Sequence, residues 1–371
     1  MALISILFFL VLVFSVGLGL TLFVKESKNF LERNLMRLGI GLGAFIALGL
    51  LLNLLHIPLD WRIFLAISII CILLHVLKNK PYQQSFLKGV NFRLTQKDLM
   101  TLVMLILFFL AFFMYHKGAF IYPYLEDDDS WAHAIGVKYV SIEKTVFADK
   151  LGLRYIDPYP PAYDMMMGIV HQTNDSVYWT LKFFNALIVS FSIIFFYFFA
   201  SALTASPKKA LFSTFALFSI PSFLSHFIWS IAITMPLFFV SFYAVEKIKD
   251  DKKWWIVSSV VIAATLTTSP THSAYFGLFF VIYFVARTLA ERKFLMHEFL
   301  AGFSGLALSF AVWWLPMIVA HGIRGTLTGM GSDPRTSILD VAGTADRIYT
   351  AKDFFIAQKT NMINNPIGIG L

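Results

Sequence analysis

The sequence predicts an all-α, polytopic membrane protein with about ten transmembrane helices. Hydrophobic residues make up 58% of the chain, aromatic residues 17% and charged residues only 14%. A soluble domain has about 45–50% apolar and about 25% charged residues. The 40 phenylalanines among 371 residues exceed what a water-soluble core would bury, so we expect a lipid bilayer around most of the surface.

Ten apolar stretches are candidates for membrane helices, because the backbone has no water to bond with in lipid and must bond within a helix. The first contains no Lys or Arg before Lys25 and exceeds the roughly 7–15 apolar residues of a signal peptide, so we interpret it as a span, with a signal anchor as the alternative. The stretches cover approximately 2–24, 38–56, 61–77, 99–116, 180–203, 211–226, 228–246, 255–270, 273–288 and 298–320.

The charges of the loops predict the orientation of the chain. Five short loops are basic and alternate along the sequence, and the positive-inside rule places such loops in the cytoplasm. The N-terminus and two long loops, 117–179 and 321–371, are then non-cytoplasmic, which indicates a multi-pass protein of the plasma membrane. Because the net charge of +8 comes largely from these basic loops, it does not indicate nucleic-acid binding. The single cysteine, Cys71, excludes a disulfide within the chain and a zinc site built from cysteines.

A run of four acidic residues follows the fourth apolar stretch, and Trp131 and His133 come directly after it. The acids are Glu126, Asp127, Asp128 and Asp129. We expect Asp129 to cap a helix from Trp131 to Ile142, with Asp129 and His133 one turn apart on one face. Two interpretations stay open. The acids cap a helix and are solvated, or they act as a base or hold a divalent cation such as Mg or Mn, with Asp128 and Asp129 as ligands.

A proline-rich segment lies further along the same loop. It reads Asp157-Pro158-Tyr159-Pro160-Pro161-Ala162-Tyr163-Asp164. Its tyrosines present flat faces that suit sugar rings and membrane interfaces alike. An ordinary turn at the headgroup level is the alternative.

Together these motifs resemble the GT-C superfamily of membrane glycosyltransferases. Asp129-Ser130-Trp131-Ala132-His133 is similar to the Asp-x-aromatic-x-His stretch of archaeal oligosaccharyltransferase catalytic subunits, and also to the acidic motif of protein O-mannosyltransferases and lipid A aminoarabinose transferases. Tyr159-Pro160-Pro161 is similar to a Tyr-Pro-Pro or His-Pro-Pro element of several such families. The resemblance covers about Leu99 to Ala320.

The resemblance implies transfer of a sugar or oligosaccharide from a polyprenyl-phosphate-linked donor to a protein or glycan acceptor at the outer membrane face. Asp128 or Asp129 would serve the acceptor as a base or cation site, with Asp127 and His133 beside them. Arg324 and Arg335 in the last loop are the candidates to face the departing phosphate, with anchoring to lipid headgroups just outside a span as the alternative. The remaining candidates for substrate contact are Glu126, Tyr159, Pro161, Tyr163, His226 and His272.

One feature departs from the oligosaccharyltransferase pattern. That family has a second acidic pair in the loop after the third helix of its module, whereas the stretch from Ile220 to Trp229 contains no carboxylate. A metal site of that design is therefore in doubt, although His226 offers a substitute ligand.

The expected organisation has three parts: residues 1–97 as an N-terminal three-helix unit with a cytoplasmic linker, 98–320 as the GT-C-like module, and 321–371 as an outer loop leading to a further span that we expect beyond the end of the sequence. Two functions from other classes remain as alternatives. They are a polytopic transporter and a non-catalytic scaffold of glycan assembly.

Overall fold

The computed structural model describes most of the chain and is helical throughout the part described, with no β-strand there. The described residues are 2–79, 95–126, 128–148, 153, 155–220, 223 and 227–329. The predicted all-α class is confirmed for these residues. Asp127 and His226 lie outside them, as do most of the loop 321–371 and the linker 80–94.

The helices are numbered in chain order. They are α1 (Ala2–Leu20), α2 (Phe30–Leu54), α3 (Trp61–Asn79), α4 (Gln96–Ile121), α5 (Asp128–Glu143), α6 (Ala162–His171), α7 (Val177–Thr204), α8 (Pro207–Phe218), α9 (Ile231–Lys247), α10 (Trp254–Thr265), α11 (Pro270–Glu291), α12 (Met296–Ser309) and α13 (Leu315–Gly329).

Seven of the predicted spans form helices that are long and apolar enough to cross a membrane. They are α1, α2, α3, α4, α7, α11 and the continuous helix Met296–Thr326, which contains α12 and most of α13. The other three predicted stretches form α8, α9 and α10, of 12, 17 and 12 residues. A membrane helix needs roughly 20 residues, so the structure supports a polytopic protein with seven candidate spans in the described chain, and the number of about ten stays a prediction.

The basic loops gather at one end of the helices. The Trp254 indole N–H donates to the Lys25 carbonyl at 3.1 Å, and the Lys25 N–H donates to Asp251 at 2.9 Å. Nearby, the buried Glu32 carboxylate pairs with Lys97 at 2.5 Å and accepts a hydrogen bond from Tyr243 at 2.9 Å. The long loop 117–179 lies at the opposite end, as the alternation of loops predicts. Which end faces the cytoplasm stays a prediction.

Helices α1 and α2 pack backbone against backbone. A Cβ atom added at Gly41 would lie 1.6 Å from the Val13 carbonyl oxygen, and one added at Gly17 would lie 2.0 Å from the Arg37 carbonyl oxygen. Small residues permit such close contact in lipid, where there is little hydrophobic drive for helices to associate. These two glycines therefore set the distance between α1 and α2.

The last long helix is irregular where it meets the long loop. A π-helical turn, Phe310–Trp314, precedes Pro316, and Gly322 adopts a positive φ of 71°. The buried Trp313 ring stacks on Phe147 of the long loop, with ring centroids 6.2 Å apart. The irregular turn before Pro316 thus coincides with a contact that holds the loop against the helices.

We expect Gly41→Ala to destabilise the protein, because its methyl group would force α1 and α2 apart. Overpacking of this kind costs about 1–3 kcal/mol. The thermal unfolding midpoint of the full chain in detergent micelles measures the loss. Gly277→Ala is the matched control, since no atom lies within 4 Å of a Cβ at that helical position. Equal midpoints for the two variants would contradict the close packing of α1 and α2.

Candidate functional site

The acidic run leads directly into α5, as the sequence predicts. The helix extends from Asp128 to Glu143 and includes the whole predicted segment from Trp131 to Ile142. It begins one residue before Asp129, so Asp129 lies inside the first turn and is not the N-cap that we expected. Both Asp128 and Asp129 are favoured there, because the first turn carries the positive end of the helix dipole.

The two described aspartates differ in their surroundings. Asp128 is exposed, whereas Asp129 is half-buried and accepts a short hydrogen bond from the Tyr155 hydroxyl. The Tyr155 ring in turn stacks on His133, with ring centroids 4.1 Å apart and an interplanar angle of 14°. Asp129 and His133 are therefore connected through Tyr155, which the sequence analysis did not single out.

His133 forms a buried pair with Asp164. Its Nδ1 lies 2.6 Å from Asp164 Oδ1, and each residue is 1% exposed. His133 Nε2 and Asp164 Oδ2 have no hydrogen-bond partner among the described residues. Burial raises the pKa of Asp164 above its ordinary value, and the neighbouring His133 offsets only part of this rise. The pair joins α5 to α6 at the level of the acidic residues.

The proline-rich segment packs behind the acidic residues. Tyr159 is half-buried, its ring meets Tyr155 edge-on at 4.9 Å, and its hydroxyl lies 3.1 Å from Ser230 Oγ. Pro161 is buried just before α6, and the Tyr163 hydroxyl donates to Asn185 at 3.0 Å from a fully buried position. Burial raises the pKa of Tyr159 and Tyr163 above the usual phenol value, so both are neutral near pH 7. Substrate could reach Pro161 or Tyr163 only if this end of the fold opened.

Two more candidates lie on neighbouring helices at the same end. His272, near the start of α11, is half-buried, with its Nδ1 3.1 Å from Ser269 Oγ and its ring edge-on to Trp229. On α13, His321 Nε2 pairs with Asp157 at 2.5 Å. Arg324 is exposed and follows His321 by three residues, beyond the break in the helix at Gly322.

The remaining candidates are placed only in part. Glu126 is half-buried just before α5, while Asp127 and His226 lie outside the described residues. Within the described chain, no three His, Cys, Asp or Glu side chains group closely enough to hold a metal ion. Asp128 and Asp129 provide carboxylate oxygens, the ligand type that Mg²⁺ and Mn²⁺ prefer, and substrate phosphate and water would have to complete any coordination.

Asp164 was not predicted as the partner of His133, although it ends the proline-rich segment. The sequence signal for it is an acid directly after Tyr-Pro-Pro-Ala-Tyr, in the same loop as His133.

A cavity of about 440 Å³ opens elsewhere at the same end of the protein. Its lining includes Trp61, Lys138 and Gln172 and contains none of the predicted site residues. It lies at the C-terminal ends of α5 and α6, whereas the acidic residues lie at the start of α5.

Comparison with known proteins identifies no relative. No family of proteins, no curated protein and no solved structure matches the chain.

We expect His133→Phe to destabilise the protein by about 3–5 kcal/mol near neutral pH, because it leaves a buried carboxylate without its partner. The double variant His133→Phe/Asp164→Leu should recover most of this loss, since apolar residues of similar volume often replace a buried ion pair at little cost. Thermal unfolding midpoints in detergent provide the comparison.

The pH dependence of the single variant has a defined sign. Burial raises the pKa of Asp164 above its ordinary value of 3.8. Burying this carboxyl therefore costs no folding free energy below about pH 3.8, and the cost grows as the pH rises through the raised pKa. The His133→Phe midpoint should therefore fall, relative to that of the double variant, as the pH rises above about 4. A constant difference would show that the pKa of the carboxyl is the same in the folded and unfolded chain.

Proposed function

We propose that the protein is a glycosyltransferase of the GT-C type. It would move a sugar from a polyprenyl-phosphate-linked donor to a protein or glycan acceptor at the outer face of the plasma membrane. The observation that carries the proposal is the position of Asp128 and Asp129, which begin α5 only a few residues after the apolar helix α4 ends.

Exposed aromatic residues surround this position. Tyr122, Tyr124 and Trp131 are 48%, 59% and 42% exposed, and Trp131 meets Tyr178 edge-on at 5.6 Å. Tyrosine and tryptophan are enriched where membrane meets water. A lipid-borne donor and a water-borne acceptor can meet at this boundary.

Asp128 or Asp129 would act as the base. The carboxylate takes the proton of the acceptor hydroxyl or amide as the acceptor oxygen or nitrogen bonds to the anomeric carbon of the sugar. The bond from that carbon to the phosphate oxygen breaks, and its electron pair leaves with the phosphate. The Tyr155 hydroxyl orients Asp129, and the stacked His133 ring holds Tyr155 in place.

The departing phosphate needs positive charge. Arg324 supplies it in this proposal. His321, three residues before it, contacts Asp157 of the proline-rich segment, and that segment in turn packs against Tyr155. A Mg²⁺ or Mn²⁺ ion held by Asp128 and Asp129 would add charge neutralisation for the donor phosphates.

The distribution of charge in the described helices favours this function over transport. Transporters place ionisable residues near the bilayer midplane. Here Glu32 lies in the first turn of α2, Glu246 near the end of α9 and Arg287 in the last two turns of α11.

We expect Asp128→Asn and Asp129→Asn each to reduce sugar transfer at least about 100-fold, since general-base catalysis contributes roughly 10²–10⁴-fold. The assay follows a labelled sugar from a polyprenyl-phosphate donor to an acceptor in membranes that carry equal amounts of each variant. Glu143→Gln is the matched control, because Glu143 is an exposed acid at the far end of the same helix. Wild-type rates in both aspartate variants would remove the acidic residues from the mechanism.

Chelation separates the two roles of the aspartates. If a cation takes part, EDTA should abolish transfer and added Mg²⁺ or Mn²⁺ should restore it. Transfer that persists in EDTA, and is still lost in Asp129→Asn, would leave the carboxylate as a base alone.

A further inference from the structure

The cavity of about 440 Å³ is separate from the acidic residues. Ten residues along α5 divide Asp128 from Lys138 in its wall, which corresponds to about 15 Å at the helical rise of 1.5 Å per residue. Helices α5 and α6 run parallel, since His133 meets Asp164 near their starts and Val140 packs on Gly168 further along. The acidic residues therefore lie beside the N-terminal ends of this helix pair, and the cavity lies at its C-terminal ends.

Side-chain bonds fix the walls of the cavity. Gln172 donates to the Leu59 carbonyl at 2.7 Å and accepts from the Trp61 N–H at 3.0 Å, which ties the end of α6 to the start of α3. Lys144, at the end of α5, pairs with Asp60 at 2.5 Å. Asn174 donates to Ser5 of α1 at 3.1 Å. Four segments thus meet in a preformed site, which lowers the ordering cost of binding a ligand.

The charges of the cavity do not cancel. Lys144 already compensates Asp60. Burial raises the pKa of this carboxyl, but the hydrogen bonds from Lys144 and the Arg62 N–H, together with the charges of these two residues, outweigh burial and lower the pKa. Of the other charged side chains in the lining, Arg62 and Lys138 are positive and Asp175 is negative. Among the described residues neither Arg62 nor Lys138 forms an ion pair, so the cavity offers two cations to a ligand.

The chemistry of the lining suits a sugar. Amide, carboxylate and hydroxyl groups exchange hydrogen bonds with sugar hydroxyls in both directions, and Gln172, Asp175 and Ser141 provide all three. The half-buried Trp61 adds an aromatic surface for the apolar side of a sugar ring. Arg62 and Lys138 would bind a carboxylate or phosphate on that sugar by charge-assisted hydrogen bonds.

We propose that this cavity binds an anionic sugar unit of a glycan, at a distance from the acidic residues. The inference rests on the proposed function only for the source of that glycan, which would be the donor or acceptor chain whose reacting end lies near Asp128 and Asp129. The carboxylate of a hexuronic acid and the phosphate of a phosphorylated sugar share the required chemistry.

A direct binding measurement tests this site without relying on transfer. The probe is a fluorescently labelled trisaccharide of hexuronic acid, titrated with the purified full chain in detergent micelles. We expect saturable binding that weakens at least tenfold when the carboxyl groups of the trisaccharide are reduced to alcohols. A labelled hexose 6-phosphate serves as the second probe, and binding of either anionic sugar supports the site.

Two double variants locate the binding. Arg62→Gln/Lys138→Gln should weaken it at least tenfold, while Lys208→Gln/Lys209→Gln removes two exposed lysines of α8 outside the cavity and should leave it unchanged. Equal losses in both double variants, equal affinity for charged and reduced trisaccharide, or no binding of either anionic probe would overturn the proposal. Displacement of the probe by vesicles of anionic phospholipid, but not by unlabelled trisaccharide, would also overturn it, because the cations would then serve lipid headgroups.

The Asp129→Asn protein separates this inference from the proposed function. Binding that is retained in a variant without transfer supports the cavity as an independent subsite. If the wild-type protein transfers sugar but does not bind the probe, only the sugar-binding role of the cavity is overturned. If the protein binds the probe but never transfers sugar, only the proposed function is overturned.

Discussion

The buried pair of His133 and Asp164 is the constraint on which the arrangement of the loop end depends. Two charged or strongly polar groups are removed from water there, which is costly unless they satisfy each other. Their contact at 2.6 Å fixes the register of α5 against α6. That register places the acidic residues beside Tyr155 at one end of the helix pair and places Lys138 and Lys144 beside Gln172 at the other.

The membrane helices are held together by a different kind of contact, namely close backbone packing and paired charges. Glycines bring α1 and α2 into backbone contact, and the buried Glu32 joins α2 to α4 and α9 through Lys97 and Tyr243. These ties lie at the end opposite the long loop. Lys144 and Asp60 pair at the loop end as well, so ion pairs fasten the scaffold at both ends.

Sequence reasoning predicted what depends on local pattern. The lengths of the apolar stretches predicted the long helices. The acidic run and the apolar residues that follow it predicted the position of α5 to within a few residues. Asp129 was predicted as the N-cap, whereas the helix already begins at Asp128. The start of a helix depends on backbone hydrogen bonds that the residue pattern does not specify. The lengths of α8 and α10 were also overestimated, since apolar composition continues beyond the point where the chain leaves the helix.

Contacts between distant residues were beyond prediction from one sequence. Asp164 lies 31 positions from His133, and the two meet only because α5 and α6 run parallel. Two helices joined by a short connection would instead be expected to pack antiparallel. The same parallel course underlies both proposals. Two helices that start together and end together hold the acidic residues and the cavity at opposite ends of one pair. If the proposed function holds, a chain of sugars about 15 Å long could contact both while its lipid or protein portion remains at the membrane boundary.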